Sequence, residues 1–223
     1  MYIEVTYLNN LVIKYRNFDK IMNNSQVIEI DCSSCGLTKL PSDMDFPILR
    51  HFWCSNNKLT QLPENMNCPS LQTLNCCCNQ ITKLPENMNF PKLQTLDCCR
   101  NQITKMPENM DFSDLQTFDC SCNKIRKLPE NMNFPNLKNF WCSGNKLSKL
   151  PKNMDFPKLR ELYCSHNQLT ELPASMDFCD LREFDCSYNK LTKLPTYIMN
   201  LDKSMKINYS NNLFEVKNDI NKS

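Results

Sequence analysis

The chain is built on a 22-residue period, and that period limits its possible folds more tightly than any local propensity. Successive units open at Leu49, Leu71, Leu93, Leu115, Leu137, Leu159 and Leu181, 22 residues apart. In Leu93–Asp114, LQTLDCCRNQITKMPENMDFSD, apolar residues occupy positions 1, 4, 6, 11, 14, 18 and 20, with Asn at 9 and Pro at 15. Asn57, Asn79, Asn101, Asn123, Asn145, Asn167 and Asn189 share position 9, and Pro41, Pro63, Pro85, Pro107, Pro129, Pro151, Pro173 and Pro195 share position 15. A unit this short cannot bury its apolar side chains alone. Units stacked in a solenoid can.

Within a unit, apolar positions 4 and 6 alternate with polar 3, 5 and 7, the period of a strand with one buried face. Positions 3 to 7 therefore predict one short strand per unit. The return segment, for example Leu84–Pro91, has proline at either end and is too short for much α-helix. Extended or one-turn 3-10 structure is expected there, with Met88 and Phe90 pointing inward. Only two glycines, Gly36 and Gly144, are present, so the turns must use Asn, Asp, Ser and Pro.

The pattern LxxLxCxxNxLxxLP resembles the leucine-rich repeats, from about Val27 to Phe214. The resemblance implies an α/β-type solenoid dominated by β: a curved, right-handed superhelix with a concave parallel sheet and short extended or 3-10 segments on its convex side. It also implies that the Asn column forms a ladder of side-chain bonds to backbone, starting imperfectly because Cys35 holds that place in the first unit. Three regions are expected. Residues 1–26 form an N-terminal cap, a β-hairpin from Tyr2–Tyr7 and Leu11–Tyr15 followed by a short segment around Phe18–Met22. Residues 27–202 carry the repeats. Residues 203–223 hold a degenerate final repeat, a cap and a polar tail over Val216–Ser223, with the last unit stretched to 23 residues so that Ile207, Tyr209, Asn212 and Phe214 fall on repeat positions.

Position 6 departs from the family in carrying Cys32, Cys54, Cys76, Cys98, Cys120, Cys142, Cys164 and Cys186. A buried cysteine is a small hydrophobe, and bulky Phe52, Phe118, Phe140 and Phe184 at position 4 offset its size. Parallel strands carry their Cβ vectors side by side, a poor geometry for disulfides, so the column is expected to be core. The regular Met column, Met44 to Met176, is read as core filler for the same reason. Cys77 and Cys99 at position 7, with Cys78 and Cys122 at position 8, are expected to be exposed. A flat sheet face should spread them too widely for a metal, so no metal or cofactor is expected.

The outward positions 3, 5 and 7, bordered by 2 and 8, form the one broad rigid surface. Both tryptophans, Trp53 and Trp141, lie in column 5 with Tyr163, and His166 and Tyr188 border it at position 8. Exposed large aromatics mark contact surfaces. These residues, with Asp97, Asp119 and Asp185, are the candidate partner-binding set. Arg160 and Arg182 at position 2 are expected to pair with Glu161 and Glu183 into a self-neutralised rim. The only histidines, His51 and His166, stand about five strands apart and cannot cooperate, and no nucleophile constellation accompanies either.

The expected function is non-catalytic: an adaptor or protein-interaction module that binds a protein partner on its concave face. The alternative is a structural or self-associating component, with a thiol-based metal or redox protein behind both. A formal net charge of +2 gives no pull toward nucleic acid or anionic membrane. No basic and apolar leader opens the chain and no apolar run reaches about 20 residues, so an intracellular, cytoplasmic monomer with reduced thiols is expected. With flanking segments this short, no appended catalytic domain is expected. The PxNM-type units also resemble scaffold repeats in Ras signalling, and the Asn-, Lys- and Cys-rich style resembles repeat proteins of giant amoeba-infecting viruses, which would make the partner a host protein.

Overall fold

Alternating apolar and polar side chains produce one three-residue strand per unit. In the computed structural model these are His51–Trp53, Thr73–Asn75, Thr95–Asp97, Thr117–Asp119, Asn139–Trp141, Glu161–Tyr163 and Glu183–Asp185. The structure describes residues 2–21, 24–152, 154, 156–174, 176, 179–199 and 205–214. Neighbouring strands pair in parallel, like position against like: Leu96 opposite Phe118, Phe140 opposite Leu162, and Trp141 opposite Tyr163. Val27–Asp31 precedes this run and Lys206–Asn208 follows it, with Ile207 opposite Phe184 across the 23-residue interval.

The strands end at position 5, earlier than the expected position 7. Backbone bonding continues past that point: the Cys54 N–H donates to the Asn75 carbonyl at 2.8 Å, and the Asn56 N–H to that of Cys77 at 3.0 Å. Regular strand geometry is lost because position 8 turns into the left-handed region. Cys78, Arg100, Cys122, His166 and Tyr188 have φ of 54°, 50°, 55°, 52° and 52° there, and glycine fills the position only at Gly144. Each non-glycine residue costs about 1–2 kcal/mol in this conformation.

The turn aims the Asn of position 9 inward, where its bonds offset that cost. Asn123 donates through Nδ2 to the carbonyls of Cys98 and Cys120, both at 3.0 Å, and its Oδ1 accepts the Ile103 N–H at 2.9 Å. The same bonds recur from Asn57 to Asn212, tying each unit to the one before it. In the first unit Cys35 replaces the amide, and its Sγ lies 3.2 Å from the Tyr2 carbonyl.

Behind the sheet, all eight position-6 cysteines are fully buried. Phenylalanines from positions 4 and 20 fill the rest: Phe134 stacks on Phe112 and Phe156 at 6.1 and 5.8 Å and meets Phe118 edge-on at 5.9 Å. Phe90 and most of the methionine column are buried, while Met88 and Met176 are half-buried. On the convex side Asp43–Asp45 pairs with Asn65–Asn67, and Met110–Asp111 with Met132–Asn133. The return segments are extended, and no 3-10 turn forms among the described residues. Prolines that withhold an N–H favour this over a helical turn. The one helix described is the four-residue Thr196–Met199.

At the first edge, Ile3–Tyr7 pairs antiparallel with both Val12–Tyr15 and Val27–Asp31, completing an 11-stranded sheet. Ile3, Val5, Phe18 and Ile21 are buried against the first unit. Met22 and the polar tail at 216–223 lie outside the described residues. Among the described residues no helix is long and apolar enough to cross a membrane.

Candidate functional site

Columns 3, 5 and 7 line the concave face, and position 8 forms one border. The face brings the expected aromatics into pairs. Trp141 and Tyr163, on adjacent strands, stack at 6.2 Å with 14° between their planes, and His166 and Tyr188 stack at 4.2 Å and 9°. Trp53 lies several strands away, stacked at 5.3 Å on His51, whose Nδ1 is 3.1 Å from the Thr73 hydroxyl. His51 thus belongs to the surface, although the sequence reading weighed it only as a catalytic group. The signal was present: residues two apart on a strand share a face. Trp53, Trp141 and Tyr163 are half-buried, because stacking covers part of each ring. His166 and Tyr188 are exposed, held in the left-handed backbone of position 8.

The acidic members have a second role. One carboxylate oxygen of Asp97 accepts the Cys99 N–H at 3.0 Å, Asp119 that of Ser121 at 2.8 Å, and Asp185 that of Ser187 at 2.9 Å. Asp31 and Asn75 make the same bond two residues onward. Position 5 is therefore a backbone clasp wherever it is Asp or Asn. Trp53, Trp141 and Tyr163 replace that clasp with an aromatic ring. Burial raises the Asp119 carboxyl above its ordinary range, and the Ser121 N–H and hydroxyl work against the shift.

The rim does not neutralise itself. Glu161 and Glu183 turn toward the aromatic row: Trp141 Nε1 donates to Glu161 at 3.1 Å and the Tyr163 hydroxyl to Glu183 at 2.7 Å. Lys206 reaches the other oxygen of Glu183 at 2.6 Å and, with the tyrosine, holds that carboxylate below its usual range. Arg160 and Arg182 remain exposed outside these bonds. A shallow recess of about 320 Å³ opens beside the cluster, lined by Tyr163, Glu183, Asp185, Lys206 and Asn208.

Column 7 also departs from expectation. Ser165 and Ser187 are buried, and Cys77, Cys78 and Cys99 are half-buried; of the four thiols expected in the open, Cys122 is exposed. Burial and the neighbouring Asp97 push the Cys77 thiol up to about 12 and raise that of Cys99 as well. Nor does the sheet spread these groups apart. One ligand atom each from Cys77, Asp97 and Cys99 lies within 4.8 Å of the others. The clasp explains the convergence, since it curls the Asp97 carboxylate along the strand toward position 7.

Known proteins share this architecture. The family model described as "Leucine Rich repeats (2 copies)" matches residues 49–89, 69–109 and 157–198. YopM, a leucine-rich effector protein from Yersinia pestis, is similar at 31% identity and a TM-score of 0.71, over 82% of this chain and 49% of its own. The chain thus spans about half the length of that protein. The functional domain of InlJ from Listeria monocytogenes, which includes a cysteine ladder, is similar at 30% identity and a TM-score of 0.68, covering 84% of this chain and 44% of its own. A Shigella effector LRR domain is similar at 26% identity and a TM-score of 0.63, over 84% and 82% of the two chains. No curated protein sequence matches. The in-register sheet, the asparagine ladder, the matched units and these structural likenesses carry one conclusion: the chain belongs to the leucine-rich-repeat proteins.

Proposed function

We propose that this chain is a non-catalytic interaction module that binds a protein partner on its concave face, with Trp141 and Tyr163 as the anchor and Trp53, His166 and Tyr188 as further contacts. One observation carries the reading: Trp53, Trp141 and Tyr163 stand where other units place a backbone-clasping Asp or Asn. A large ring that gives up a local bond and remains half open to solvent is better matched to a partner than to the fold. Rigid aromatics lose little conformational entropy on contact, which is why they dominate binding hot spots. Asp97, Asp119, Glu161, Glu183 and Asp185 make columns 3 and 5 acidic, with Lys206 at their far edge and Arg160 and Arg182 exposed on the rim, so the partner surface matching these columns carries basic side chains beside an apolar one. Likeness to two effector proteins agrees with an adaptor role.

A partner captured by the intact chain should be lost by the variant Trp53→Ala, Trp141→Ala, Tyr163→Ala, with its circular dichroism unchanged. A partner retained equally by both chains would place the site elsewhere. A self-associating role draws on a different observation, the exposed Tyr2, Leu8, Leu11 and Val12 around the outer hairpin. A concentration-independent monomer mass would exclude it.

A further inference from the structure

We infer that Cys77, Asp97 and Cys99 form a binding site for a thiophilic divalent cation of the Zn²⁺ class, with one coordination position open to the concave face. The three ligand atoms lie within 4.8 Å of one another. In a tetrahedral zinc site, with bonds of about 2.3 Å to sulfur and 2.0–2.2 Å to oxygen, ligand atoms are separated by about 3.6–3.8 Å. Closing that gap takes an inward movement of about 1 Å by side chains alone. Asp97 is already oriented, because its Oδ1 accepts the Cys99 N–H at 3.0 Å.

The repeat supplies its own comparison. Position 7 is serine at Ser33, Ser55, Ser121, Ser143, Ser165 and Ser187, and thiols occupy it only at Cys77 and Cys99, each two residues past the end of adjacent strands. Asp97 ends one of those strands, two residues before Cys99, so the two thiols and the carboxylate meet at a single place in the solenoid. All three are half-buried, which leaves an ion access while sparing the ligands full hydration. Two sulfurs and one oxygen suit zinc, whereas calcium and magnesium call for six or more oxygens. On binding, the cation forms two metal–sulfur bonds and one metal–oxygen bond and the two S–H bonds break, their protons passing to solvent, so the two positive charges gained are offset and the site stays at a net charge of −1. A water or a partner's side chain completes the fourth position.

The test is titration of the full, reduced chain with Co²⁺, read by the thiolate-to-cobalt charge-transfer absorption, and with Zn²⁺ in competition with a chromophoric chelator. One ion per chain is expected. Cys77→Ser with Cys99→Ser restores the residue other units carry and should fold, yet lose the absorption and at least 100-fold in affinity. Asp97→Asn should weaken binding about tenfold, and Cys122→Ser should leave it unchanged. A folded, reduced chain that binds no stoichiometric ion would overturn the assignment, as would equal binding by the double serine variant.

Discussion

At the residue scale, two positions decide how the backbone leaves each strand. The buried Asn of position 9 bonds two carbonyls and one N–H at once; Asn123→Ala strands the buried Ile103 N–H, while the Cys98 and Cys120 carbonyls keep one bond each, from Asn101 and Asn145. A loss of about 1–3 kcal/mol is expected, seen as a lower urea midpoint. Position 5 adds a pH effect. Burial raises the folded-state pKa of Asp119 above its ordinary 3.8, so its ionisation opposes folding: the favourable contribution is whole below 3.8 and lost as pH rises through the folded value. Asp119→Asn keeps an oxygen for the Ser121 N–H and removes the charge. It should therefore be more stable than the native chain at neutral pH, with the advantage vanishing as pH falls toward 3.8; a constant difference in urea midpoint would refute this origin. The Asn ladder was legible in the sequence because the period isolates one invariant column. The left-handed turn at position 8 was less so: Asn56, Gly144 and His166 suit it, but Cys78, Arg100, Cys122 and Tyr188 have no side-chain preference for it and adopt it only because the stacked units on either side require it.

At the element scale, binary pattern located the repeat strands of the concave sheet but not their length, and it did not mark the short convex strands. Positions 3 to 5 were readable from alternation, whereas the loss of strand geometry after position 5 depends on the turn that follows. The convex side was read as extended or 3-10. Prolines at both ends and cross-unit pairing of the methionine segments settle it as extended. The cysteine column was legible as core because bulky residues at position 4 compensate for its size, and Phe134 shows how tightly the two positions are coupled to the convex side. Phe134 touches Phe112, Phe118 and Phe156, so truncation opens a cavity shared by three neighbouring units. Phe134→Ala should cost about 3–5 kcal/mol in denaturant unfolding, and a smaller loss would mean that the units collapse to fill the space. The convergence of Cys77, Asp97 and Cys99 escaped the pattern reading, because it arises from a side-chain clasp and not from strand spacing.

At the scale of the whole molecule, stacking carries single residues into columns, and the columns make one continuous face. The pairing of Trp141 with Tyr163 and of His166 with Tyr188 followed directly from the period; the inward turn of Glu161 and Glu183 did not, because it depends on where the aromatic hydroxyl and indole N–H point. The resulting face joins aromatic anchors to an acidic field, so partner affinity should fall as ionic strength rises. The most direct test of concave-face recognition is the dissociation constant of the captured partner for three chains: the intact one, Trp141→Ala with Tyr163→Ala, and a control outside the face, Lys83→Ala, Lys105→Ala and Lys127→Ala. Loss of two anchor residues should weaken binding by about 30-fold or more, the hot-spot range, while the lysine control leaves it unchanged. Equal affinity for all three chains, or a loss confined to the lysine control, would contradict the concave face as the binding surface.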